Sequence, residues 1–110
     1  MKLNDLVSVL ELTVLSEGAD PGREITGGYT SDLLSDVMGN IDEGMVWITL
    51  QVHRNTIAVA SLKEVSAVIL INGVKPDQDT LEQAQGEGVC ILSTDMSAFE
   101  TSGRIYELLK

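Results

Sequence analysis

The chain has 110 residues, with 7 basic and 17 acidic side chains and a formal net charge of −10. That is one domain's length, and 44% apolar with 22% charged residues is an ordinary globular mixture. The acidic excess argues against a phosphate-backbone binder, which needs clustered Lys and Arg, and four scattered aromatics argue against a base-stacking platform.

Leu3, Leu6, Val7 and Leu10 follow the spacing of one helix face. Thr13 to Leu15 is a short β-prone stretch, and Ser16 to Arg23, with Gly18, Pro21 and Gly22, reads as a loop. Ile25 to Thr30 is expected to be extended around Gly27 and Gly28, whose reason is a tight turn or bulge at positive φ. Ser31 or Asp32 caps a helix through Met38, with Leu33, Leu34 and Val37 as its buried side. Asn40 to Gly44 is a turn.

From there the pattern alternates. Met45 to Leu50 is a strand, and Asn55 to Glu64 a helix capped near Asn55, with Ile57, Ala60 and Leu62 turned inward. Val65 to Ile71 is an uninterrupted apolar strand, suited to a parallel sheet covered on both faces. Asp79 or Thr80 starts a helix to about Glu87, with Gly86 and Gly88 at its end. Val89 to Leu92 is a strand with Cys90 as a small buried hydrophobe, and Trp47 is read as core. Asp95 or Ser97 opens a last helix offering Ala98, Phe99, Ile105, Leu108 and Leu109 for packing. The expected fold is α/β: a compact three-layer single domain, with a mostly parallel sheet flanked by helices.

The longest strictly apolar stretch, Ala67 to Ile71, is far short of the roughly 20 residues that span a bilayer. Asn4, Asp5 and Glu11 break up any signal-peptide core, so the expected compartment is the cytoplasm. One cysteine, Cys90, and one histidine, His53, are too few for a structural zinc site, and no metal or cofactor is expected.

Ligands of open α/β sheets bind beyond the carboxyl ends of the strands. Those ends supply Ser31 and Asp32, then Gln51, His53, Arg54 and Asn55, then Asn72 and Gly73, then Ser93, Thr94 and Asp95. On parallel strands these groups share one edge and are candidates to surround a small polar ligand. The plainer reading takes precedence: helix starts need such residues as caps, and loops are polar. His53 beside a carboxylate is a conceivable base, but no nucleophile elbow or phosphate-binding lysine loop accompanies it. The acidic run Asp77, Asp79, Glu82 and Glu87 is read as a solvated helix start and face.

Asp20, Arg23, Thr26, Gly27 and Gly28 stand in the order of a known motif, though not contiguously. With the run Tyr29 to Met38, the strand Trp47-Ile48-Thr49, the segment Val68 to Gly73 with Pro76, and Ile91 to Asp95, the chain resembles the DRTGG domain family over nearly its whole length. The resemblance implies the fold of the N-terminal domain of HPr kinase/phosphorylase. It also implies an accessory, regulatory role of the kind such domains have beside CBS domains in regulated pyrophosphatases and before some phosphotransacetylases. It implies association between copies, hence a homodimer, and no kinase activity, since the P-loop is missing. The first expectation is therefore a non-catalytic module that modulates a partner enzyme. The second is a sensor of a nucleotide or phosphorylated metabolite at the strand ends, and a stand-alone enzyme is a distant third.

Overall fold

Alternating side chains along the strands give the sheet two buried faces, and each face has its own core. The structure, a computed structural model, describes residues 1–110. Its elements are α1 (Leu3–Val9), β1 (Thr13–Ser16), β2 (Gly27–Thr30), α2 (Leu34–Asn40), β3 (Met45–Thr49), α3 (Arg54–Leu62), β4 (Ala67–Leu70), α4 (Gln78–Glu87), β5 (Ile91–Ser93) and α5 (Ala98–Leu109). The five-stranded sheet has the order β1-β5-β4-β3-β2. Strands β2 to β5 are mutually parallel, and β1 joins β5 antiparallel at one edge.

Because β2 to β5 are laid down in order across the sheet, crossovers of one hand put α2, α3 and α4 on the same face. Trp47, Val68, Leu70 and Ile91 point to that face and pack with Val37, Ile41, Ile57, Ala60 and Ala84. Val46, Ile48, Ala67, Ile69 and Leu92 point to the other and pack with Leu3, Leu6 and Ile105 of α1 and α5. The three layers are those expected. Trp47 is fully buried, and its indole N–H donates to the Ser31 carbonyl at 2.9 Å, so the large apolar ring enters the core with its one polar atom satisfied.

Several expectations about local structure are corrected. Helix α2 starts at Leu34, and no side chain caps it. The Ser31 hydroxyl instead accepts from the Leu33 amide, and Asp32 is drawn away to β3. Leu33 is 64% exposed because it precedes the first turn rather than lying on its inner face. Tyr29 docks α2 by donating from its hydroxyl to Asp36 Oδ2 at 2.9 Å, and that bond, with burial and the carboxylate's charge, raises the phenol pKa.

Helix α3 is capped by His53, not Asn55: His53 Nδ1 accepts from the Asn55 amide at 3.1 Å. Leu62, at the helix's last position, faces solvent. Asp77 caps α4 and Ser97 caps α5, through bonds to the Thr80 and Glu100 amides. Gly88 closes α4 in the left-handed region, while Gly86 sits inside the last turn. Gly27 and Gly28 are ordinary extended residues of β2. The glycines at positive φ are Gly44, Gly73 and Gly88. Phe99 turns outward and is 91% exposed.

Candidate functional site

Parallel pairing brings the carboxyl ends of β2, β3, β4 and β5 to one edge of the sheet. There the polar residues form two separate knots. At the first, Asp32 Oδ1 accepts from the Thr49 hydroxyl and from the Leu50 amide, each at 2.7 Å. Gln51 Nε2 donates to the Asp32 carbonyl at 2.8 Å, and the Gln51 amide donates to Thr49 Oγ1 at 3.1 Å. Ser31, Asp32 and Gln51 thus strap the β2–α2 loop onto the end of β3.

The second knot joins β4 to β5. Asn72 and Gly73 adopt φ of 54° and 71°. Their amides donate to the Met96 and Thr94 carbonyls, both at 2.9 Å. Thr94 Oγ1 accepts from the Met96 amide, closing that loop on itself. A Cβ on Gly73 would stand 2.9 Å from Asp95 Oδ1, a side-chain oxygen that can turn aside, and it is the φ of 71° that favours glycine here.

His53 and Asn55 lie between the knots, at the start of α3, where His53 acts as the cap. These residues share an edge but line no common cavity. Ser93, Thr94 and Asp95 open onto a depression of about 340 Å³ shared with Glu11, Glu100 and Arg104. Gln51 and His53 border a space of about 10 Å³ that also includes Thr56, whose buried hydroxyl has no partner.

A larger concavity lies on the α1/α5 face. It is an apolar groove of about 530 Å³, floored by Gly27, Gly28 and Ile48 and walled by Ser102, Tyr106 and Leu109. The floor exists because β2 has no side chain there: a Cβ on Gly28 would reach within 3.9 Å of Ile105 Cγ2. The Thr30 and Ser102 hydroxyls, 2.7 Å apart, close the groove's end. Sequence reasoning did not find this groove. The signal available was the recurrence of Phe99, Ser102, Tyr106 and Leu109 along one side of a helix.

By sequence, residues 5–108 match the DRTGG domain. The chain belongs to the DRTGG domain family. Among solved structures it is similar to the crystal structure of the CBS and DRTGG domains of the regulatory region of Clostridium perfringens pyrophosphatase, complexed with the activator diadenosine tetraphosphate. The TM-score is 0.71 at 18% identity, over 94% of this chain and 45% of that one, so the likeness is one of fold and the chain spans less than half of that protein's length. No curated protein matches the sequence.

Asp20, Arg23 and Thr26, read from the sequence as letters of the motif, sit away from the strand-end edge, where they tie loops together. Asp20 Oδ1 accepts from the Gly22 amide and shapes the turn before Arg23. The Arg23 guanidinium donates to the Glu64 and Val65 carbonyls at 3.2 and 3.4 Å. Thr26 Oγ1 donates to the Glu43 carbonyl at 2.9 Å. Opposite it is Gly44 at φ 84°, where a Cβ would come within 2.8 Å of Thr26 Cγ2. Glu64, itself at φ 53°, presents its carbonyl to Arg23 and to the Gly44 amide. Its carboxyl shares a hydrogen bond with Glu43, which raises its pKa, and the pair's mutual repulsion and burial add to the rise. In this chain Arg23 and Thr26 thus fasten the amino ends of β2, β3 and β4, and Gly27 and Gly28 form part of the floor of the groove.

Proposed function

We propose that this DRTGG domain is a non-catalytic regulatory module that associates with a second copy of itself and modulates a partner enzyme, with the cytoplasm as its compartment. The observation that carries the reading is the family match over nearly the whole chain. The use of the polar residues agrees with it. Asp32, Gln51, His53, Asn72 and Thr94 each engage a loop or cap group by side chain or backbone. The larger of the concavities left open to solvent is an apolar groove. Contiguous apolar surface of this kind is characteristic of interaction sites. Chemistry in this reading belongs to the partner. The test is molar mass by sedimentation equilibrium from micromolar to millimolar concentration. A monomer–dimer equilibrium within that range supports self-association, and a monomer throughout removes it.

A nucleotide sensor is the second reading, favoured by the bound activator of the structurally similar pyrophosphatase region. Its residues are the strand-end set, with Asn72 and Asp95 the first to replace. Thermal denaturation with adenine and guanine nucleotides, diadenosine tetraphosphate included, tests it. A ligand held only by the native state at 100 times its Kd stabilises by about 2.7 kcal/mol, or on the order of 10 °C for this size. A saturable shift abolished by Asp95→Ala supports the sensor, and a flat response across the panel counts against it.

A further inference from the structure

We propose that the outward side of α5 and the glycine-floored groove beside it form a two-fold interface between copies of this chain. This rests on the self-association proposed above and deepens it by naming the surface and its register. Helix α5 carries two apolar stripes. Ala98, Thr101, Ile105 and Leu108 turn toward the sheet. Phe99, Ser102, Tyr106 and Leu109 recur at intervals of three, four and three on the adjacent side, where helical spacing stacks them in a row. Phe99 is 91% exposed and Tyr106 67%.

The row is self-complementary. Ser102 and Gly103 sit at its middle, and nothing approaches a Cβ built on Gly103 within 4 Å. Phe99 stands three residues before Ser102, and Tyr106 three after Gly103. If two α5 helices cross antiparallel with the axis between Ser102 and Gly103, Phe99 of one copy comes opposite Tyr106 of the other. The small central pair lets the backbones approach. Phe99 of the second copy then stands over the mouth of the groove beside Tyr106, a concavity of about 530 Å³. One surface supplies both knob and hole, which a two-fold contact requires.

Charge favours a second copy as the occupant. The chain has 17 acidic side chains, yet the groove and the outer row together hold one charged residue, Lys110. Glu100 and Glu107, which flank the row on α5, are each paired with a cation of the same helix, Arg104 and Lys110, so two copies can meet here with little unpaired carboxylate charge at the contact.

The test is sedimentation equilibrium of the wild type, Phe99→Glu and Leu62→Glu. The last puts the same charge on an apolar residue of α3 that is 67% exposed, on the far side of the sheet. Phe99 makes little contact within the fold, so circular dichroism and Tm should stay at wild-type values in its variant. The expected result is a wild-type dimer whose Kd rises about thirtyfold or more in Phe99→Glu, as for a buried aromatic anchor, and does not change in Leu62→Glu. Oxidation of Gly103→Cys should then give a disulfide-linked dimer, with the buried Cys90 silent. A wild-type dimer unaffected by Phe99→Glu and not cross-linked through position 103 overturns this interface and leaves self-association standing. A wild-type monomer at every concentration overturns both.

Discussion

The Asp32 carboxylate reaches across from the end of β2 to the Thr49 hydroxyl at the end of β3, 2.7 Å away, and the same oxygen accepts the Leu50 amide. A residue placed to cap α2 has been used to lock two parallel strands at their carboxyl ends. Bonds to a charged acceptor contribute more than neutral ones, and loss of this one leaves the buried Thr49 hydroxyl short of a partner. Asp32→Ala should cost about 1–2 kcal/mol, and Asp32→Asn less, since its carbonyl oxygen still accepts. Each kcal/mol is worth about 4–8 °C in Tm at this size. An unchanged Tm in Asp32→Ala would show that the strap is not holding the edge.

Arg23 fastens the opposite edge, and its geometry predicts a difference between two substitutions. The guanidinium spans the neighbouring carbonyls of Glu64 and Val65 with two nitrogens. A lysine ammonium is a single point donor and cannot reproduce the fork. Arg23→Ala and Arg23→Lys should both lower the urea midpoint, by about 1 kcal/mol of stability, with no change in slope. Full retention of stability in Arg23→Lys would mean that charge beside Glu64, and not the fork, is what matters.

How much of this was legible depends on how far apart in sequence the deciding residues lie. The uninterrupted run Val68-Ile69-Leu70 announces a central parallel strand, and the strand–helix alternation after Met45 fixes the layers. Periodicity tells which helical positions share a face but not which face turns inward. In α5 both the Ile105 side and the Phe99 side are apolar, and only the position of the sheet decides between them. Likewise Leu62 reads as core, yet Ile57 and Ala60 take the buried side of α3 and Leu62 is left exposed. His53 and Asn55 are both able to cap, and the helix begins at Arg54, which leaves Asn55 inside its first turn and His53 at the cap. The use of Asp32 depends on the β2–β3 register, and the use of Gly28 on Ile105, far along the chain. Neither relationship is written locally.

Two carboxyl groups should give opposite pH signatures. The hydrogen bond with Glu43 raises the Glu64 pKa above its ordinary 4.5, so its contribution is fully present below that value and is lost as pH rises through the raised one. Glu64→Gln, which cannot ionise, should therefore exceed the wild type in Tm at neutral pH, and its advantage should vanish in acid. Asp77 is the reverse case. The Thr80 amide and hydroxyl hold its pKa below the ordinary 3.8, so its contribution exists above 3.8 and disappears as pH falls through the lowered value. The gap in Tm between the wild type and Asp77→Ala should be widest at neutral pH and shrink in strong acid. Parallel pH profiles for both variants would contradict the assignment.

Cys90 should report on opening of the α1/β1 side of the molecule. Burial pushes its thiol up to about 11, and the residue is almost wholly shielded. Thiol reagents attack the thiolate, so at pH 8 the folded protein should label slowly, through opening alone. Gly18 sets how easily that opening occurs, because a Cβ there would lie 2.9 Å from Cys90 Cβ. Gly18→Ala forces two backbones apart and should destabilise by about 1–3 kcal/mol, the usual cost of overpacking. If labelling follows the opening equilibrium, each 1.4 kcal/mol should speed it about tenfold. Rapid stoichiometric labelling of the folded wild type would show that Cys90 is reachable without opening, and labelling at equal rates in both proteins would show that Gly18 does not hold this seam.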